Sequence, residues 1–94
     1  MNRKYELMLV LHPSVAAEDE KAQDELIGKL LGGQNLTVKK TVLGKKELSY
    51  PILKQTEGLY MLIELEGAAV KTDVVATSAR VEENLLRYLL KRVN

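Results

Sequence analysis

Two alternating runs limit what this chain can fold into. Tyr5, Leu7, Leu9 and Leu11 share one parity with Glu6, Met8, Val10 and His12 on the other, and Leu59, Met61, Ile63 and Leu65 repeat the pattern between Gly58 and Glu66. A period of two sends successive side chains to opposite faces, so each run is a strand with one side apolar along its length. Between them Leu26, Ile27, Leu30 and Leu31 recur at three and four, the apolar face of a helix that Gly32-Gly33 ends with a left-handed cap. Leu36 to Leu43 is β-branched and lysine-rich and reads as a further strand. Lys40 falls on the parity of Leu36, Val38 and Val42, which marks a bulge or a lysine-protected edge. Thr72 or Asp73 is placed to cap a second helix carrying Val74, Val75 and Ala79, and Leu86 to Val93 alternates as the last strand.

The resulting order, βαββαβ, has two helices that must each bury one apolar face. It fits an α+β fold of the ferredoxin-like type, a four-stranded antiparallel sheet with both helices on one side. The expected core is Tyr5, Leu7, Leu9, Leu11, Ile27, Leu31, Met61, Ile63, Leu65, Tyr88 and Leu90. The opposite parity then faces outward: Met8 and Val10 from the first strand, Tyr60 and Leu62 from the third, Arg87, Leu89 and Lys91 from the fourth. An open face that is half apolar and edged by charge is the kind of surface that meets a partner.

Ninety-four residues make one domain, 1–94, with no room for a separate cofactor domain. The absence of cysteine excludes a disulfide framework, a thiolate metal site and a thiol nucleophile, and suits a reducing compartment, with cytoplasm the default. Arg3, Lys4 and Glu6 interrupt any secretory apolar core at the start, and no apolar run approaches the ~20 residues of a membrane span. The chain is expected to be soluble, unprocessed and away from membranes. Its net charge of +1 argues against gripping nucleic acid by bulk electrostatics alone. Five of the thirteen acids, Glu18, Asp19, Glu20, Asp24 and Glu25, lie in one short stretch at a helix start, where they suit the helix dipole. Setting them aside leaves fourteen basic residues against eight acidic, so basic surface lies elsewhere.

No catalytic constellation emerges. His12, the one histidine, sits beside Pro13 with no sequence-local partner and reads as a solvated or capping imidazole. Ser14, Ser49 and Ser78 occupy no nucleophile-elbow context, and no glycine-rich phosphate loop occurs. An RNA-recognition motif stacks bases on third-strand aromatics in the pattern basic-Gly-aromatic-small-aromatic. Here Glu57-Gly58-Leu59-Tyr60-Met61 puts aliphatic residues at both stacking positions, which argues against that mode. The segment Gly44-Lys45-Lys46-Glu47-Leu48-Ser49-Tyr50-Pro51-Ile52 stands out instead. Gly44 allows a sharp exit from a strand, Pro51 holds Tyr50 extended, and the lysines point outward from a stiff connection between two strands.

That segment resembles the signature of the bacterial small-ribosomal-subunit protein six family. The resemblance extends through Arg3-Lys4-Tyr5-Glu6, His12-Pro13, Glu57-Gly58 and Glu83-Asn84-Leu85-Leu86-Arg87-Tyr88, from about Arg3 to Arg92. It implies a structural, non-enzymatic component of the small ribosomal subunit that binds small-subunit ribosomal RNA jointly with ribosomal protein eighteen, without cofactor, metal or small-molecule substrate. The matching motifs imply RNA contacts on Arg3, Lys4, Lys45, Lys46, Tyr50 and Lys54, and further on Arg87, Lys91 and Arg92. Met8, Val10, Tyr60, Leu62 and Leu89 are left for the protein partner. Many members carry an aromatic residue before the motif glycine, where this chain has Leu43, and a basic residue where it has Glu47, so RNA contacts there are expected to be thinner. The chain stops at Asn94 without the polar tail of many relatives, and contacts made by such a tail are expected to be absent. The competing class is a ferredoxin-like regulatory module that binds a small ligand or dimerises through its open sheet; it has no need of the Gly44 to Ile52 lysines.

Overall fold

A computed structural model describes residues 2–93; Asn94 lies outside them. The elements run β1 (Arg3–Leu11), α1 (Glu20–Leu31), β2 (Thr37–Ile52), β3 (Gln55–Gly67), α2 (Thr72–Val81) and β4 (Leu85–Arg92). The sheet is antiparallel in the order β2-β3-β1-β4, with both helices on one side of it, the ferredoxin-like architecture. The two alternating runs are its interior strands, β1 and β3. Their register sets Leu7 opposite Ile63, Leu9 opposite Met61 and Leu11 opposite Leu59, and all six side chains are fully buried. Helix α1 covers them with Leu26, Ile27, Leu30 and Leu31, and α2 adds Val75. Each such side chain contributes roughly 1.5–3 kcal/mol on burial, so this single layer carries most of the stability. Val15 joins it from the segment before α1 and Leu85 from the start of β4, beyond a register shift, whereas Tyr5, Tyr88 and Leu90 pack only partly buried at its margin.

The acidic stretch opens α1: Asp19 is the N-cap, its carboxylate accepting the Ala22 N–H at 3.1 Å, and Gly32 closes the helix in a left-handed C-cap. At α2 the N-cap position falls on Lys71, one residue before Thr72, and no side chain caps it there. The Gln34 amide takes over part of that task, accepting the Lys71 N–H at 2.7 Å and donating to the Lys71 carbonyl at 3.3 Å.

Lys40 does lie on an edge strand, β2, and not at its bulge, but its side chain is mostly withdrawn from water. Paired with Ile63 on the helix side of β2, it reaches α1 and donates to Gln23 Oε1 at 3.1 Å and Asp24 Oδ1 at 3.0 Å. Gln23 is fully buried and donates in turn to the carbonyls of Ala16 and Ala17 at 2.8 and 3.1 Å. A lysine on an apolar parity is thus tolerated because it supplies the donor that the buried Gln23 carbonyl needs, the amide N–H groups being taken by Ala16 and Ala17.

Replacing Leu9 or Ile63 by alanine should cost about 2–5 kcal/mol in urea unfolding with an unchanged m-value. Lys40→Met should cost about 1–3 kcal/mol, because it leaves the Gln23 carbonyl buried without a donor; equal stability would remove this network from the fold's support.

Candidate nucleic-acid interface

Strand register sorts the candidate residues by face. Arg3, Lys45 and Arg92 pair with Gly67, Leu59 and Tyr5 and so lie on the helix-side parity. Lys4, Met8 and Val10 from β1, Tyr60 and Leu62 from β3, Lys46 from β2, and Arg87, Leu89 and Lys91 from β4 lie on the open face. Along that face they form three zones. Met8 stands opposite both Leu62 and Leu89, making a transverse apolar row across three strands, with Leu89 64% exposed. At one end of the sheet lie Arg3, Lys4, Lys91 and Arg92. At the other lie Lys46, Tyr50 and Arg87, about 20 Å away, the length of six residues of strand.

The two ends differ in charge. At the first, Lys4 is opposite Glu66, Lys91 is opposite Glu6, and Lys39 pairs with Glu64 at 3.8 Å, so its cations alternate with carboxylates. At the second, Arg87 Nη1 donates to Tyr50 Oη at 3.2 Å, and the Lys46 ammonium lies 5.7 Å from the Tyr60 ring centroid. The residues lining the small cavities there, Val10, Leu48, Ser49, Tyr50, Ile52, Tyr60 and Arg87 in one, include no carboxylate. Cation–ring contact and a charged hydrogen bond hold these groups ready without neutralising them.

This end is built by the segment expected to be a connection. Gly44 to Ile52 is instead the second half of a 16-residue β2. The register slips between Val42 and Gly44, and Gly44 takes φ 100°, a backbone state that a side chain would oppose. The bulge bends the strand and increases its twist, and the distal hairpin lies over the open face. Pro51 falls in the stretch between Glu47 and Ile52 where ladder pairing lapses, so its missing N–H costs nothing. Lys54 sits in the two-residue turn with Leu53, both at positive φ.

The hairpin overturns one expectation directly. Val10 faces the open side but is only 5% exposed, lying at a cavity that it shares with Leu48, Tyr50 and Ile52 of the hairpin, and so is withdrawn from the partner surface. Gly58 makes the closeness possible, because a Cβ there would stand 2.5 Å from Val10 Cγ1. The comparison with base-stacking sheets also changes. Leu59 and Met61, taken as the stacking positions, are fully buried on the helix side, and the third-strand residue that faces outward is the aromatic Tyr60. His12 does have a local partner: its Nδ1 accepts the Ser14 N–H at 3.1 Å and lies 2.8 Å from Ser14 Oγ, a turn-closing arrangement. Among the described residues no group of acids and histidine is placed to hold a metal ion.

The geometry is that of a one-sided ferredoxin-like sheet whose open face carries an apolar row between a mixed-charge end and a hairpin end bearing Lys46 and Arg87. The chain belongs to the ribosomal protein S6 family, whose pattern matches residues 4–92. It is 32% identical over 89 residues to small ribosomal subunit protein bS6 of Fusobacterium nucleatum, covering 94% of this chain and 95% of that protein. To the protein of the same name from Syntrophobacter fumaroxidans it is 31% identical over 93 residues, 98% of this chain; the chain spans 63% of that longer relative. The crystal structure of 30S ribosomal protein S6 from Thermotoga maritima superposes with a TM-score of 0.80 at 23% identity, over 99% of this chain and 89% of that one, and shares its fold.

Gly58→Ala should cost about 1–3 kcal/mol by crowding Val10, and Val10→Ala in the same chain should recover part of that loss. Additive effects in this double-mutant cycle would show that the two positions are not in contact.

Proposed function

We propose that this chain is a structural component of the small ribosomal subunit, in the cytoplasm, that binds small-subunit ribosomal RNA jointly with ribosomal protein eighteen. Family membership across nearly the whole chain supports the ribosomal assignment, and the three zones of the open face support joint binding. The observation that carries it is the apolar row Met8, Leu62 and Leu89 set between two separated basic ends.

Affinity for RNA comes mainly from phosphate contacts, each adding a salt slope of only about 0.7–0.9 in log K. A chain of net charge +1 has few to offer. Lys45, Lys46, Tyr50, Lys54 and Arg87 at the hairpin end supply cations beside exposed aromatic surface, and Arg3, Lys4, Lys91 and Arg92 a second contact beyond the row. RNA that touches both ends must bridge the apolar row, which phosphate cannot dehydrate profitably. A protein surface there removes it from water, and the partner's own RNA contacts add to the affinity. Met8, Leu62 and Leu89 are therefore the protein-facing residues, with Tyr60 at the border of the two zones.

Two outcomes test this reading. Changing both Lys45 and Lys46 to alanine should weaken binding to small-subunit RNA and flatten its salt dependence by roughly 1–2 units of slope, leaving RNA preference unchanged. Leu89→Asp should abolish co-purification with ribosomal protein eighteen while the thermal melt stays within a few degrees, since the side chain is already mostly exposed. Full retention of the partner would place it on another surface. Failure of the unaltered chain to sediment with small subunits would favour the regulatory-module reading.

A further inference from the structure

We propose that Glu6 and Glu64 together receive an arginine side chain from the protein that covers the apolar row, an inference that rests on the function proposed above. The two glutamates stand directly opposite each other on the open face of the interior strands β1 and β3. Like charges in that relation destabilise a sheet. Register sets them in the middle of a transverse row, Lys39, Glu64, Glu6 and Lys91, with both cations on the outer strands. Lys39 reaches Glu64 only loosely, at 3.8 Å. Glu6 is half-buried, and among the described residues no side chain bonds its carboxylate. Glu47 and Glu57 also stand opposite each other, but both are exposed on the hairpin, where water and salt screen them.

A cavity of about 310 Å³ opens beside the interior pair, lined from the open face by Lys4, Glu6, Thr37, Lys39, Glu64 and Glu66. Charge selects what enters it. A strand of RNA would bring phosphate against three carboxylates, so its contacts belong on the lysines of the outer strands. An aliphatic side chain would cover the Glu6 carboxylate and leave it unpaired, which costs more than the contact returns. A guanidinium presents its N–H donors in a planar fork and can bond both carboxylates at once, whereas an ammonium acts as a point charge.

Position gives the source of that group. The adjoining row is Leu62, Met8 and Leu89, one two-residue repeat away along the strands, or about 7 Å. A partner seated there can lay the aliphatic stem of an arginine along Met8 and Leu62 and set its charged head over Glu6 and Glu64. The row on the other side, Tyr60, Val10 and Arg87, offers no carboxylate. The acidic pair therefore also fixes which way round the partner sits, by complementarity at one flank and a like charge at the other.

The test sets stability against binding, because a merely structural role would move the two together. Glu6→Gln should raise the thermal midpoint of the free chain by ~2–5 °C, through loss of the like-charge contact. It should also weaken the binding of ribosomal protein eighteen, measured with small-subunit RNA present, by about tenfold. Glu6→Lys combined with Glu64→Lys should abolish that binding, and changing one arginine of protein eighteen to glutamate should restore it. A stabilised Glu6→Gln chain that holds the partner as tightly as the unaltered chain would overturn the site, as would normal binding by the charge-reversed chain. Restoration through a lysine of protein eighteen would overturn the choice of arginine. Leu89→Asp, measured alongside, keeps the two readings apart. Undiminished binding by Leu89→Asp would count against the apolar row, whereas loss by Leu89→Asp with none from the glutamate changes would count against this site alone.

Discussion

The open face exists because burial is one-sided. Leu7, Leu9 and Leu11 lock against Leu59, Met61 and Ile63 beneath the helices, and a strand cannot slip by one residue without turning that entire set toward water. The same constraint that secures the core therefore holds Met8, Tyr60, Leu62, Arg87 and Leu89 in a fixed array on the other side. Surface geometry is inherited from core register, which is why a domain this small can present a defined interface without a further layer.

The second determinant is the hairpin. Its bulge at Gly44 redirects the outer half of β2 and β3 across the open face, where Tyr50 meets Arg87 and Val10 is covered. The result is an asymmetric surface. One end alternates cations with Glu6, Glu64 and Glu66, while the other keeps Lys46 and Arg87 beside aromatic rings. A nearly neutral protein can still offer cations beside aromatic rings at the hairpin end, where Glu47 and Glu57 stand opposite each other but outside the cavity lined by Tyr50, Tyr60 and Arg87.

Much of this was legible in the sequence because period-two and period-four patterns report burial directly. The four strands, both helices, the Gly32 cap and most of the core follow from such patterns, and the motif residues lead to the family. What was not legible depends on contacts between distant segments. Lys40 reads as a flaw in a strand until Gln23 is seen to need it. Val15 joins the core from an irregular segment that carries no period, and Leu85 from the first position of β4, beyond a register shift that breaks the strand's alternation. Gly44 to Ile52 looks like a turn because glycine, proline and lysine are turn residues, and only the pairing with β3 shows that one is a bulge and another an unpaired edge position. Val10 has the parity of an exposed residue and loses its exposure to a hairpin forty positions downstream. Parity counted from Gly58 also needed the structure: Leu59 and Met61 are buried beneath the helices and Tyr60 has the outward position between them.

Hydroxyl-radical footprinting of the chain, free and then bound to small-subunit RNA with ribosomal protein eighteen, addresses the central claim that the open face, rather than the helix layer, is where this protein is held. Met8, Tyr60 and Leu89 should lose reactivity in the complex, and Val81 at the end of α2, 79% exposed, should keep it. Protection of Val81 with undiminished reactivity at Met8 and Leu89 would contradict the account.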